Sequence, residues 1–107
     1  MMYKLVEFDI VKSVQQNIRL ILTTPKGSDV HRPDFGSDLW KYLDQPLNAL
    51  TVGRIKAEIV DAIETWEPRA KVKEIKLERD YLNAKARIRI VFEIPSAETE
   101  AEIGLWM

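Results

Sequence analysis

The 107-residue sequence has no cysteine, which excludes disulfides, thiol nucleophiles and every cysteine-ligated zinc or iron–sulfur site. It has a single histidine, His31, and its four glycines form no phosphate-binding fingerprint. Neither sign of charge dominates. Sixteen lysines and arginines stand against 17 acidic residues, a net charge of -1, so overall charge gives no ground for nucleic acid, a membrane or an acidic substrate as partner. No stretch approaches the ~18 apolar residues of a membrane span. The start, Met1-Met2-Tyr3-Lys4-Leu5, offers no apolar signal region with a small-residue cleavage site. A reducing, intracellular setting fits these absences, with any role outside the cell reached as part of a particle released whole.

What is present is enough for one small core. Hydrophobic residues make up 46% of the chain, consistent with a single domain over 1–107. Ser13-Val14-Gln15-Gln16 reads as a capping box that opens a helix. Val14, Ile18, Ile21 and Leu22 then recur at helical spacing until Thr24-Pro25 stops the run. Residues 25–36 hold two prolines, two glycines and no periodicity, which predicts a loop of about twelve residues, a length usually functional or mobile. Ser37 is positioned to cap a short helix with Leu39, Trp40 and Leu43 inward, ending before Asp44-Gln45-Pro46. Thr51 is positioned to cap a second long helix that presents Val52, Ile55, Ile59, Ala62, Ile63 and Trp66 on one face. Pro68 disfavours helical geometry at Glu67 and closes it.

Beyond that turn the period changes from helix to strand. Ala84, Ala86, Ile88, Ile90, Phe92 and Ile94 alternate with Lys85, Arg87, Arg89, Val91 and Glu93. A hairpin register pairing Arg79 with Ala84 sets Leu77 against Ala86, Ile75 against Ile88 and Val72 against Val91. It spares the preceding strand a bulge at Val72 but leaves Lys73 facing Ile90 on the core side. Residues 96–102 read as an acidic, structureless tail, outside a core of about 13–95, ending in Ile103-Gly104-Leu105-Trp106-Met107. That apolar end either folds back as a third strand or docks on a partner. The docking reading implies that removing residues 103–107 weakens assembly more than folding. The fold class is therefore α+β: two longer helices and one short helix packed on a small antiparallel sheet built around a C-terminal β-hairpin.

Three segments, Ile21-Leu22-Thr23-Thr24-Pro25-Lys26-Gly27-Ser28, Arg32-Pro33-Asp34-Phe35-Gly36-Ser37 and Trp66-Glu67-Pro68-Arg69, together resemble the gpW and gene 25 family of phage baseplate wedge proteins. Asp44-Gln45-Pro46 adds to the pattern, and one position departs from it: Asp29 stands where that family commonly has arginine. The resemblance implies a structural subunit of a contractile tail, tailocin or type VI secretion baseplate. Its partners would be other wedge proteins and sheath subunits in a sixfold assembly, with no cofactor, metal, small-molecule substrate, nucleic acid or membrane. Such a chain would reside in the host cytoplasm during assembly and then in the particle's baseplate. The resemblance also implies that the first helix, with Ile18 and Arg19, joins a helical bundle, and that the hairpin, with Val72 and Val91, offers strand edges where sheath polymerisation begins. Glu67 and Arg69 would either hold the turn against neighbours or brace the fold internally. Leu105 and Trp106 are the tail's partner-binding candidates.

Other chemistries have thinner support. A glycosidase needs two carboxyls roughly 5–9.5 Å apart, and Glu58, Asp61 and Glu64 are near in sequence, though a charge series on a helix is usually a solvated face. A lysozyme-like hydrolase acting on peptidoglycan and a soluble regulatory binder on the same fold are the alternatives. His31, with Asp29 and Asp34 near, is a surface or loop-packing histidine before it is a metal ligand. Lys85, Arg87 and Arg89 lack the aromatic platform of a nucleic-acid site.

Overall fold

A computed structural model describes residues 2–43, 45–80, 82 and 85–106, with side chains from Asp9 onward. Asp44 of the Asp-Gln-Pro segment, Ala84 of the expected hairpin pairing, and Met107 lie outside the described residues.

Helix α1 spans Met2–Thr23. Val14, Ile18, Ile21 and Leu22 form its fully buried stripe, and Ile10 and Val11 extend that stripe toward the N-terminus. The helix therefore runs straight through Ser13, which caps nothing. Thr24 closes it by donating its N–H (3.1 Å) and hydroxyl (2.6 Å) to the Leu20 carbonyl, and Pro25 cannot continue the ladder.

The loop that follows is tied down by its own backbone. Lys26 N–H donates to the Ser37 carbonyl (3.2 Å), Ser37 N–H to the Thr24 carbonyl (2.9 Å) and Gly27 N–H to the Pro33 carbonyl (2.8 Å). This closure needs Gly36: its φ is +111°, and a Cβ there would stand 2.1 Å from the Thr24 carbonyl oxygen. Phe35 turns inward and meets Trp66 edge-on at 5.1 Å.

The short helix α2 covers Trp40–Leu43. Leu39 is buried, whereas Trp40, expected inward, is 53% exposed, because one helical turn cannot aim both neighbours at the core. Helix α3, Ala49–Trp66, is capped by Asn48, whose side chain accepts from Thr51 N–H. Thr51, expected as the cap, sits one turn inside and is buried. Ile55, Ile59, Ala62 and Ile63 face the core, and the helix ends at Glu67 ahead of Pro68.

Strands β1 (Lys71–Asp80), β2 (Lys85–Ile94) and β3 (Thr99–Trp106) make one antiparallel sheet in the order β1-β2-β3. The alternation in β2 is as expected: its even positions are all buried. The register differs from expectation by two residues. Arg79 faces Ala86, Leu77 faces Ile88 and Ile75 faces Ile90. Larger apolar pairs meet this way, and Glu78–Arg87 and Asp80–Lys85 become favourable cross-strand pairs. The ladder then shifts between Val72 and Glu74. That bulge takes Lys73 out of the core-facing row, and its ammonium pairs with Glu93 at 2.8 Å. Val72 consequently faces Phe92 on the core side, while Val91 lies between Glu74 and Glu102 on the outer side. The expected meeting of Val72 and Val91 does not occur.

The acidic segment is also structured. A short 3-10 turn, Pro95–Ala97, and Glu98 in the left-handed region reverse the chain. β3 then returns along β2, burying Ile103 and Leu105. The core lies between the inner sheet face and the helices, with α1 packed toward β3 and α3 toward β1. Among the described residues, no element covers the outer sheet face.

Candidate functional site

Glu67, Pro68 and Arg69 form the corner between α3 and β1. The Glu67 N–H still bonds the Ile63 carbonyl at 2.7 Å, and proline then fixes the turn. This places the Glu67 side chain inside, only 2% exposed. Arg69 grips it bidentately, Nε to Oε1 at 2.8 Å and Nη2 to Oε2 at 2.9 Å, and the Arg69 N–H adds a third bond at 3.2 Å. From α1, Asn17 Nδ2 donates to Oε2 at 2.7 Å and also reaches the Trp66 carbonyl at 3.3 Å. Arg69 Nη2 touches Ser13 Oγ at 3.4 Å. One carboxylate thus binds α1, α3 and β1 together.

Burial pushes the Glu67 carboxyl up, but the hydrogen bonds from Arg69 and Asn17 and the guanidinium charge outweigh it and hold it below the usual carboxylate range. Arg69 is held charged by the same bond. Its side chain remains 46% exposed. On that outer side it borders a shallow depression shared with Ser13, Gln16, Asn17 and Leu20. Leu20, an apolar side chain, is 51% exposed there.

The expected partner-binding residues divide into two groups. Arg19, Arg69 and Trp106 face outward, and Val91 lies on the outer sheet face. Ile18 and Leu105 are spent on the chain's own core, Val72 packs against that core, and Glu67 is enclosed at the corner. A helix stripe cannot face both the sheet and a neighbour, so the outward candidates on α1 are Gln16, Arg19 and Leu20 rather than Ile18. Trp106 lies against Arg87, whose guanidinium carbon is 5.6 Å from the ring centroid.

Several working residues carry no local signal in the sequence. Ser13 and Asn17 sit four apart on one helix face, a spacing that pairs them with each other but not with a corner 50 residues away. Arg79 Nη2 donates to the Leu43 (2.5 Å) and Gln45 (2.9 Å) carbonyls, fastening the connector after α2. Gln15 Nε2 donates to the Glu102 carbonyl of β3 at 2.8 Å. Asp29 accepts from the His31 and Arg32 N–H groups and pairs with Arg32 Nε at 3.2 Å. The His31 backbone bond, ahead of the opposing desolvation and assisted by Arg32, lowers its pKa. Arg32 in turn stacks on Phe35 at 4.1 Å. Asp29 thus closes the loop on itself.

The carboxylates considered for hydrolysis are arranged differently. Glu58 Oε1 accepts the Asp38 N–H at 2.7 Å and pairs with Lys26 at 3.5 Å, so it anchors the loop to α3. Asp61 and Glu64 lie exposed on the same helix. Among the described residues, no three His, Asp or Glu side chains group as a metal site requires. None of the described helices is long and apolar enough to cross a membrane.

The family model for "Baseplate wedge protein gp25" matches residues 9–98. This chain belongs to the gp25 baseplate wedge family. It is 35% identical over 71 residues to baseplate protein W of Escherichia phage P2, a match covering 66% of this chain and 62% of that protein. It is 34% identical over 59 residues to baseplate wedge protein gp25 of Enterobacteria phage T4, covering 55% of this chain and 45% of that one. The matched region thus spans less than two thirds of either relative. Among solved structures, a Geobacter sulfurreducens protein provisionally described as a tail lysozyme superposes with a TM-score of 0.83 at 27% identity, over 92% of this chain and 89% of the other. A chain of the postcontracted baseplate of pyocin R2 shares the fold, with a TM-score of 0.62 at 24% identity over 90% and 84% of the two chains.

Proposed function

We propose that this wedge-family chain is a structural subunit of the baseplate of a contractile tail or related injection particle. It joins other wedge proteins through the outer face of α1 beside Arg69, and it helps start the sheath by accepting or donating a strand at its sheet. The observation that carries this reading is a firmly braced module in which, among the described residues, no further strand pairs with β1 or β3. Main-chain donors and acceptors on such borders join subunits with little demand on side chains. In this reading the chain takes part in a sixfold wedge assembly, made in the host cytoplasm and carried in the finished particle.

Co-expression with the larger wedge proteins and the sheath protein tests it. The expected result is a complex that co-purifies and seeds sheath tubes; a chain that stays monomeric beside all of them refutes the reading.

The tail-lysozyme description of one structural neighbour is a reason to test peptidoglycan cleavage as well. Turbidity of a cell-wall suspension should stay unchanged on adding the purified protein. Rapid clearing that disappears on Glu58→Gln or Glu64→Gln replaces the structural reading with the hydrolytic one.

A further inference from the structure

Asp61, Ala62, Thr65 and Trp66 recur at helical spacing and form one stripe on α3. The 25–37 loop lies beside this stripe, held by the Phe35–Trp66 contact at 5.1 Å and by the Lys26–Glu58 pair at 3.5 Å. Between stripe and loop a hollow of about 200 Å³ remains, which the loop borders with Lys26, Asp34 and Gly36. Small residues make room for it: Gly36 has no side chain, and Ala62, only 2% exposed, offers a methyl group. Trp66, half-buried, supplies an aromatic wall. The backbone bonds that close the loop around Gly36 make the hollow a preformed one, so that a ligand does not bear the cost of ordering it.

The charges around the hollow are unbalanced. Lys26 is spent on Glu58 at 3.5 Å and Asp38 at 4.0 Å, and Asp38 also holds Lys41 at 3.6 Å. The exposed side chains of Asp34 and Asp61, by contrast, make no hydrogen bond or ion pair with the described residues. Two carboxylates beside an aromatic ring, with the hollow's own lysine already engaged, attract a cation. A metal ion fits poorly, because among the described residues no three His, Asp or Glu side chains group as ligands. A guanidinium fits better than an ammonium, since its plane stacks on an aromatic ring while its fork of N–H groups serves more than one carboxylate.

We infer that this hollow receives one arginine side chain from another protein of the baseplate, held by Asp34 and Asp61 and packed against Trp66. The loop is one jaw of the site and α3 the other, and Glu58 joins them through Lys26 and the Asp38 N–H. The inference rests on the wedge reading above and deepens it by naming a contact and the chemistry of the group that makes it.

The test titrates the full, isotopically labelled chain with N-acetylarginine amide, its lysine and glutamine counterparts, and magnesium chloride. The arginine compound should shift the Gly36 and Thr65 amides and the Trp66 indole N–H saturably. The lysine compound should bind several-fold more weakly, and the glutamine compound and magnesium should not bind. Asp34→Asn combined with Asp61→Asn, checked for an unchanged melting curve, should weaken the arginine affinity about tenfold, the scale of one charge-assisted hydrogen bond. Thr65→Lys, which leaves both carboxylates in place and sets a cation beside them, should weaken it comparably, whereas Glu64→Gln on the same helix should not. No response to the arginine compound, equal responses to it and either counterpart, magnesium binding at these residues, or undiminished binding by the double variant or Thr65→Lys overturns the inference. In a producing strain, the double variant should be missing from particles that incorporate the wild-type chain. Its normal incorporation overturns the arginine contact alone, and failure of the wild-type chain to incorporate defeats the wedge reading instead.

Discussion

At the scale of the residue, Glu67 and Arg69 are unequal partners. Glu67 is enclosed and cannot recover water if its cation is lost, whereas Arg69 is half exposed and can turn outward. Arg69→Ala strands a buried carboxylate with Asn17 as its remaining side-chain donor, and should cost about 3 kcal/mol in urea unfolding, the lower end for a broken buried pair. Glu67→Gln keeps the shape and should cost about 1–2 kcal/mol. Because the folded-state pKa of Glu67 lies below its unfolded value, its contribution is complete above about pH 5 and is lost as pH falls through the folded value. Wild-type stability should therefore drop more steeply than that of Glu67→Gln as pH falls below about 5. Parallel curves would mean that the pair contributes no differential proton binding. The Glu-Pro-Arg spacing makes the pair itself legible in the sequence, because proline dictates the corner. Asn17 and Ser13 are not legible, since their contact exists only once α1 crosses the far end of α3.

At the scale of the element, sequence pattern works where one period runs unbroken. The β2 alternation and the apolar stripe of α3 translate directly into buried faces. It fails where two arrangements keep the same parity. Both hairpin registers put even residues of β2 inside, and they are separated by which apolar pairs meet and by Lys73 leaving the core row through a bulge. The apolar end of the chain could have been a strand or a docking peptide, and burial of Ile103 and Leu105 decides for the strand. Removing residues 103–107 should therefore damage folding first, contrary to the docking expectation. Losing two buried aliphatic side chains costs on the order of 5 kcal/mol or more, comparable to the whole stability of a small domain. A melting curve without a cooperative transition is the predicted outcome, and a near-normal melting temperature would contradict it. In the loop, Gly36→Ala forces a methyl against the Thr24 carbonyl at a positive φ. It should cost about 2–4 kcal/mol by chemical denaturation, whereas Val30→Ala at the exposed loop tip should cost almost nothing.

At the scale of the whole molecule, the stabilising interactions converge on the inner sheet face and the corner, while among the described residues Gln16, Arg19 and Leu20 of α1 face outward. A surface reserved for assembly should tolerate substitution without loss of folding. Leu20→Asp, at a half-exposed apolar position beside Arg69, should leave stability within about 0.5 kcal/mol and yet reduce co-purification with wedge partners at least tenfold. Unchanged co-purification would move the contact elsewhere. The central claim, that this family member is a building part of a contractile particle, is tested most directly by deleting it in a producing strain and counting sheathed tails by electron microscopy. The account predicts that sheathed tails disappear and return on expression of the wild-type chain but not of Leu20→Asp. Normal numbers of sheathed, contractile particles without the chain would contradict it.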